Sequence, residues 1–160
     1  VKWITVAQAE EMVRSLSLSL SLVLVGCGKS EPHDAAGWQA RLRDPDPATQ
    51  AKAAYSLSKL GADAKVSVPE LVAALKSAAA EVRQNAALAL GQIGSDAAAG
   101  VPALTEALAD PEWAVRRQAV LALGQIGEPA KPAAAKVQSL LHDGNSLVAK
   151  AAREALAKLR

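Results

Sequence analysis

The stretch Val82 to Gly94, V-R-Q-N-A-A-L-A-L-G-Q-I-G, returns as Val115 to Gly127 thirty-three residues later, with Leu-Gly-Gln-Ile-Gly unchanged. No other feature narrows the possible folds as much. A supersecondary unit that cannot bury its own apolar face must stack on copies of itself, so a fixed period of this size implies a repeat array with one continuous core. The same step reaches Thr49 to Gly61 in one direction and Val148 to Arg160 in the other without an insertion. The columns then align: Ala53, Ala86, Ala119 and Ala152; Leu57, Leu90, Leu123 and Leu156; Leu60, Ile93, Ile126 and Leu159. A preceding set aligns Trp38, Leu71, Leu104 and Val137, then Leu42, Leu75, Leu108 and Leu141.

Within each copy the apolar residues fall four apart in a leading segment and three or four apart in a following one. Both spacings place side chains on a single helical face. The unit is therefore read as a helix pair. Composition agrees: there is no Phe and one Tyr, while Ala and Leu, strong helix formers, dominate beyond residue 35. Pro69 and Pro102 fit the first turn of a leading helix, where a missing N–H costs little. Asp110-Pro111 and Asp143-Gly144 break the chain before the second helix. Gly61, Gly94 and Gly127 are expected to end the second helices as left-handed caps. Gly91 and Gly124 sit inside those helices, where close approach of a neighbour is the expected reason.

Among repeats of this length, neither the ankyrin Thr-Pro-Leu-His signature nor the tetratricopeptide Trp/Gly/Tyr pattern is present. The copies resemble the short HEAT-like repeat of the phycobilisome lyase type, D-P-x-x-x-V-R-x-x-A-x-x-A-L-G-x-I-G, matched best by Asp110 to Gly127. The resemblance is strong in the second and third copies and looser at the ends. It implies an all-α fold, a right-handed α-solenoid of about four repeats (about 35–67, 68–100, 101–133 and 134–160) forming a domain over 38–160. It also implies that Arg83 and Arg116 link neighbouring turns through a carboxylate. Arg153 replaces the small residues Ala54, Ala87 and Val120 of its column, which is expected of a terminal cap.

The N-terminal part reads as an address. From Met12, a short basic start leads into the apolar stretch Ser15 to Val25, too short for a membrane-spanning helix, which needs about 20 apolar residues. It ends in Leu24-Val25-Gly26-Cys27, which resembles the lipobox of bacterial lipoprotein precursors, and Cys27 is the single cysteine. The resemblance implies a signal peptide over 1–26, cleavage after Gly26 and a diacylglyceryl (palmitate-type) group on the Cys27 thiol. A buried free cysteine is the alternative. Met12 is the expected start, since Glu10 and Glu11 are acidic where such a leader is basic; a longer leader from Val1 gives the same mature chain. Residues 27–37 read as the lipidated cysteine and a polar tether, able to extend about 33 Å. The expected location is the bacterial cell envelope, on the periplasmic or exterior side of a membrane.

No catalytic set, metal site or cofactor is expected. His33 and His142 stand apart, and one cysteine excludes Cys-rich zinc sites. Carboxylates such as Asp44, Asp46, Asp110 and Glu112 fall at turns, where capping is the ordinary role. The 18 basic and 16 acidic residues are interspersed, which argues against nucleic acid. With Ala86, Leu90 and Ile93 inward at 100° per residue, Gln84, Asn85, Leu88 and Gln92 point outward. Their equivalents are Ala51, Lys52, Tyr55 and Lys59, then Arg117, Gln118, Leu121 and Gln125. In the resembling family the second helices line the concave side. Tyr55, Leu88 and Leu121 would then form an apolar stripe flanked by polar groups, a groove for a protein or peptide partner. The expectation is a monomeric, membrane-anchored interaction module and not an enzyme. The alternative is a lyase-like accessory protein handling a tetrapyrrole chromophore, against which the export signal weighs.

Overall fold

The structure is a computed structural model that describes residues 33–159. Leu24, Val25, Gly26 and Cys27, with the whole leader segment, lie outside the described residues. All regular structure within the described residues is helical. A short and a longer helix alternate: α1 (Ala35–Arg41), α2 (Pro47–Leu60), α3 (Val68–Ala74), α4 (Ala80–Ile93), α5 (Val101–Ala107), α6 (Trp113–Ile126), α7 (Ala134–Ser139) and α8 (Ser146–Lys158). Tight 3-10 segments, Gly61–Ser67, Gly94–Gly100 and Glu128–Ala133, carry the chain from each long helix to the next short one. The first helix starts at Ala35, inside the stretch read as tether, because the Asp34 carboxylate accepts the Gly37 N–H at 2.9 Å and caps two helix-forming alanines.

The long helices α2, α4, α6 and α8 pack side by side in sequence, and each short helix covers its own partner from the other layer. The side chains that meet between the layers are those of the aligned columns. Leu57, Leu90 and Leu123 are completely buried, as are Ala53, Ala86, Ala119 and Ala152 and, on the short helices, Leu71, Leu104 and Val137. Burial of each leucine contributes about 1.5–3 kcal/mol. The alanines contribute proximity instead. A Cβ on Gly91 would lie 2.9 Å from the Ala122 Cα, and one on Gly124 would lie 3.1 Å from both the Cα and Cβ of Ala155. Small residues in these columns let α4 approach α6, and α6 approach α8, almost to backbone contact.

The helix ends differ from expectation in one respect. Gly61, Gly94 and Gly127 all have positive φ (54°, 76° and 75°), but ψ is −129°, −141° and −128°, the mirror image of extended backbone and not a left-handed helical cap. The chain must turn straight into a 3-10 segment, and this conformation redirects it in one residue. It is open in practice only to glycine.

Between the short and long helices, one turn is built repeatedly. The Asp44, Asp110 and Asp143 carboxylates accept the N–H two residues on, from Asp46, Glu112 and Asn145 at 2.8–2.9 Å, and the Ser77 hydroxyl accepts that of Ala79 at 3.3 Å. Asp46 and Asn145 then cap α2 and α8. Glu112, also read as a capping carboxylate, makes no such bond: it occupies the cap position of α6 without accepting an N–H.

Candidate binding face

The inner long helices α4 and α6 have neighbours on three sides, a short partner and the long helices before and after, so one outer strip remains for solvent, and it continues onto α2 and α8, which have one long neighbour each among the described residues. In the described residues this strip carries Lys52, Tyr55 and Lys59 on α2, Gln92 on α4, Arg117 and Gln125 on α6, and Lys150, Glu154 and Lys158 on α8, all exposed. Tyr55 is 47% exposed, and the Lys59 ammonium stands over its ring, 4.5 Å from the centroid. At an exposed site such a contact contributes about 0.5–1 kcal/mol.

Leu88 and Leu121 follow Tyr55 along the strip but are half-buried, and Leu121 packs against the core. Three residues expected to face outward sit at seams between long helices instead. Gln118 is 8% exposed and Ala51 3%. Asn85 is half-buried and its side-chain amide donates to the Ala51 carbonyl at 3.1 Å. The physical reason is the stacking itself: a helical wheel drawn for an isolated pair counts as open a flank that the preceding long helix covers. Gln84, on the neighbouring column, is likewise half-buried.

Three exposed apolar residues were not anticipated, of which Val66, in the 3-10 segment Gly61–Ser67, lies away from the long helices. Leu147, at the start of α8, is 48% exposed, and Trp113, the first residue of α6, is 42% exposed. Leu147 joins Leu121 in a groove of about 220 Å³ between α6 and α8, with the Arg117 and Lys150 side chains and Glu154 at its rim. The signal was available: Leu147 replaces Ala48, Glu81 and Ala114 in its column, an apolar intrusion in a position otherwise small or charged. A larger hollow of about 430 Å³ lies elsewhere, among Arg43, Gln50, Glu70 and Ser77, where the short helices α1 and α3 meet the turns.

The arginines Arg83 and Arg116 are tied into the scaffold as the resemblance implied. Each reaches an aspartate 27 residues ahead with two parallel hydrogen bonds: Arg83 to Asp110 at 2.7 and 2.9 Å, and Arg116 to Asp143 at 2.8 and 2.9 Å. Each also donates to two backbone carbonyls of its own turn. Four of the five N–H donors of each guanidinium are thus engaged within the scaffold.

His33 and His142 are both exposed, and among the described residues no three His, Cys, Asp or Glu side chains converge to hold a metal ion. No helix among the described residues is long and apolar enough to cross a membrane.

A family model described as HEAT repeats matches residues 68–157, more than half of the chain. A search of the curated proteins finds no match. Among solved structures, the chain is similar to an engineered protein (26% identity, TM-score 0.65, covering 78% of this chain and 62% of that one). It is also similar to a designed armadillo repeat protein in complex with the peptide (KR)4 (20% identity, TM-score 0.70, 79% and 64%). A third similar structure is the complex of CpcE and CpcF of phycocyanin lyase from Nostoc sp. PCC7120 (22% identity, TM-score 0.59, 83% and 67%). The chain spans less than two thirds of the first two.

Proposed function

This chain belongs to the HEAT-repeat family, and we propose that it is a membrane-anchored interaction module that holds a protein or peptide on the face formed by its long helices. The observation that carries this reading is the strip itself: an exposed Tyr55, half-buried Leu88 and Leu121 and an exposed Leu147 stand on successive long helices with cationic and amide side chains between them. Equivalent positions in a repeat array come into register, so separate side chains add up to one continuous surface.

Curvature favours the same side. The long helices touch along their length, while the short helices make little direct contact with one another. An array whose one layer is more closely spaced than the other bends toward the closer layer, which makes the long-helix face the concave one. We take the array to be a right-handed solenoid of four repeats acting as a monomer, without a catalytic role. The likenesses to the designed armadillo protein, whose structure is a complex with a peptide, and to the phycocyanin lyase complex, at 20% and 22% identity, concern the fold alone. The proposed anchor is Cys27 of Leu24-Val25-Gly26-Cys27, at the end of an apolar leader, and the location proposed with it is the bacterial cell envelope.

The test is quantitative affinity capture from solubilised membranes with the full chain as bait. Leu88→Ser combined with Leu121→Ser should reduce specific partners at least tenfold, about 1.4 kcal/mol. Gln138→Ser, on the exposed side of α7, should leave them unchanged. Equal yields from the double variant, with an unaltered helical circular dichroism spectrum, would place binding on another face.

A further inference from the structure

The chain as a whole is near neutral, and exposed cations such as Arg43, Lys65, Lys76, Lys131, Lys136 and Arg153 also lie off the long-helix strip, where carboxylates match them; on the strip cations outnumber carboxylates. Along the long-helix strip the exposed cations are Lys52, Lys59, Arg117, Lys150 and Lys158. Two exposed carboxylates, Glu81 and Glu154, accompany them. Most of the other acidic groups lie at the turns or on the short helices, and three of them are engaged by arginines: Asp110 by Arg83, Asp143 by Arg116, and Glu70 by Arg43 at 2.6 Å. A net positive balance on a face that also carries Tyr55, Leu121 and Leu147 favours a ligand of the opposite sign with apolar side chains.

Resting on the reading of this strip as the binding face, we propose that its occupant is an extended acidic peptide segment bearing aliphatic residues. The geometry sets the spacing. Packed helices lie about 8–10 Å apart, and an extended chain rises about 3.3 Å per residue, so the ligand advances about three residues per long helix. One aliphatic and two acidic residues in each triplet would meet the groove and its rim, with Arg117 and Lys150 flanking the aliphatic side chain that enters between Leu121 and Leu147. A closely spaced ladder backed by a wider one presents cations along a trough, which suits a chain better than the flat surface of a bilayer. The isolated cations and intervening carboxylates do not match the regular charge spacing of a nucleic acid.

The experiment uses the full chain and three fluorescent twelve-residue probes: (Leu-Glu-Asp)4, (Leu-Lys-Arg)4 and (Ser-Glu-Asp)4, with anisotropy read at low and at physiological salt. The first should bind, weaken as salt is added, and exceed each of the others at least tenfold. Arg117→Glu with Lys150→Glu, both exposed positions, should lose at least tenfold for (Leu-Glu-Asp)4 while keeping the helical spectrum. If Leu88→Ser with Leu121→Ser weakens binding but charge reversal does not, the face stands and its acidic specificity is overturned. If neither pair of substitutions affects a bound probe, the face itself is wrong. Absence of binding by any probe at millimolar concentration overturns the proposal. So does capture of phosphatidylglycerol vesicles, lost on charge reversal, in place of peptide.

Discussion

The Arg83 guanidinium grips the Asp110 carboxylate through two parallel hydrogen bonds, and Asp110 uses one of the same oxygens to accept the Glu112 N–H. One aspartate therefore shapes its own turn and ties it to the repeat before. Both side chains are largely shielded, 13% and 8% exposed. Asp110→Ala removes the link and the turn bond together while Arg83 keeps the carbonyls of Ser77 and Ala78, so the expected loss is about 2–3 kcal/mol in a urea unfolding curve.

The same pairs give the domain an acid limit. Burial pushes the Asp110 carboxyl up, but the hydrogen bonds from Arg83 and the Glu112 N–H outweigh it and hold the group below its ordinary range; Asp143 is lowered mainly by its hydrogen bonds from Arg116. Groups with a depressed folded-state pKa contribute stability above the unfolded value, near 3.8, and lose it as pH falls through the folded value. Urea midpoints should accordingly be flat near neutrality and drop below about pH 4. Asp110→Asn with Asp143→Asn should flatten that drop; an unchanged acid slope would show that other carboxylates govern it.

The first junction lacks this link. Gln50 stands in the arginine column and Ser77 in the aspartate column, and the Gln50 amide donates only backward, to the Asp44 carbonyl at 2.6 Å. Gln50→Arg with Ser77→Asp should install the missing pair beside the 430 Å³ hollow and stabilise the domain by about 1 kcal/mol, more than the sum of the single changes. Strict additivity in a double-mutant cycle would show that the two positions do not meet.

Glycine serves two different purposes along the long helices, and the substitutions separate them. At Gly127 there is open space but positive φ, so Gly127→Ala is expected to lose about 1–3 kcal/mol from backbone strain alone. At Gly91 the backbone is helical, and an added methyl group would collide with Ala122. Gly91→Ala should therefore lower the melting temperature despite the better helix propensity of alanine, and Ala should be the least harmful replacement.

Much of the fold was legible in the sequence because the period is uninterrupted: the apolar columns mark the buried faces, and Pro69, Pro102 and the three chain-reversing glycines mark the ends. Less of the candidate face was. Gln118 and Asn85 look solvent-facing when a single helix pair is drawn, and only the stacking of α4 on α2 and of α6 on α4 turns that flank inward. Leu147 is visible in the sequence as an apolar residue in the column of Ala48, Glu81 and Ala114, but that it shares a groove with Leu121 follows only from the packing of α8 on α6. The ψ angles of the terminal glycines depend on the 3-10 segments that follow, which no residue-level periodicity announces.

Anchoring can be tested independently of the repeats. With Cys27 as lipid acceptor, a palmitate analogue should label the wild-type chain, and Cys27→Ser should abolish labelling and membrane retention. Labelling of the Cys27→Ser protein would remove the anchor from the account and leave the binding face untouched.

The most direct test of the central claim is site-specific photo-crosslinking in living cells, with a benzophenone side chain placed in turn at Tyr55, Gln92 and Gln125 on the long-helix strip and at Gln138 on α7. All four positions are exposed, so the probe should not disturb the fold. One shared adduct is expected from the three strip positions and none from Gln138. An adduct from Gln138 alone, or three unrelated adducts along the strip, would contradict the claim.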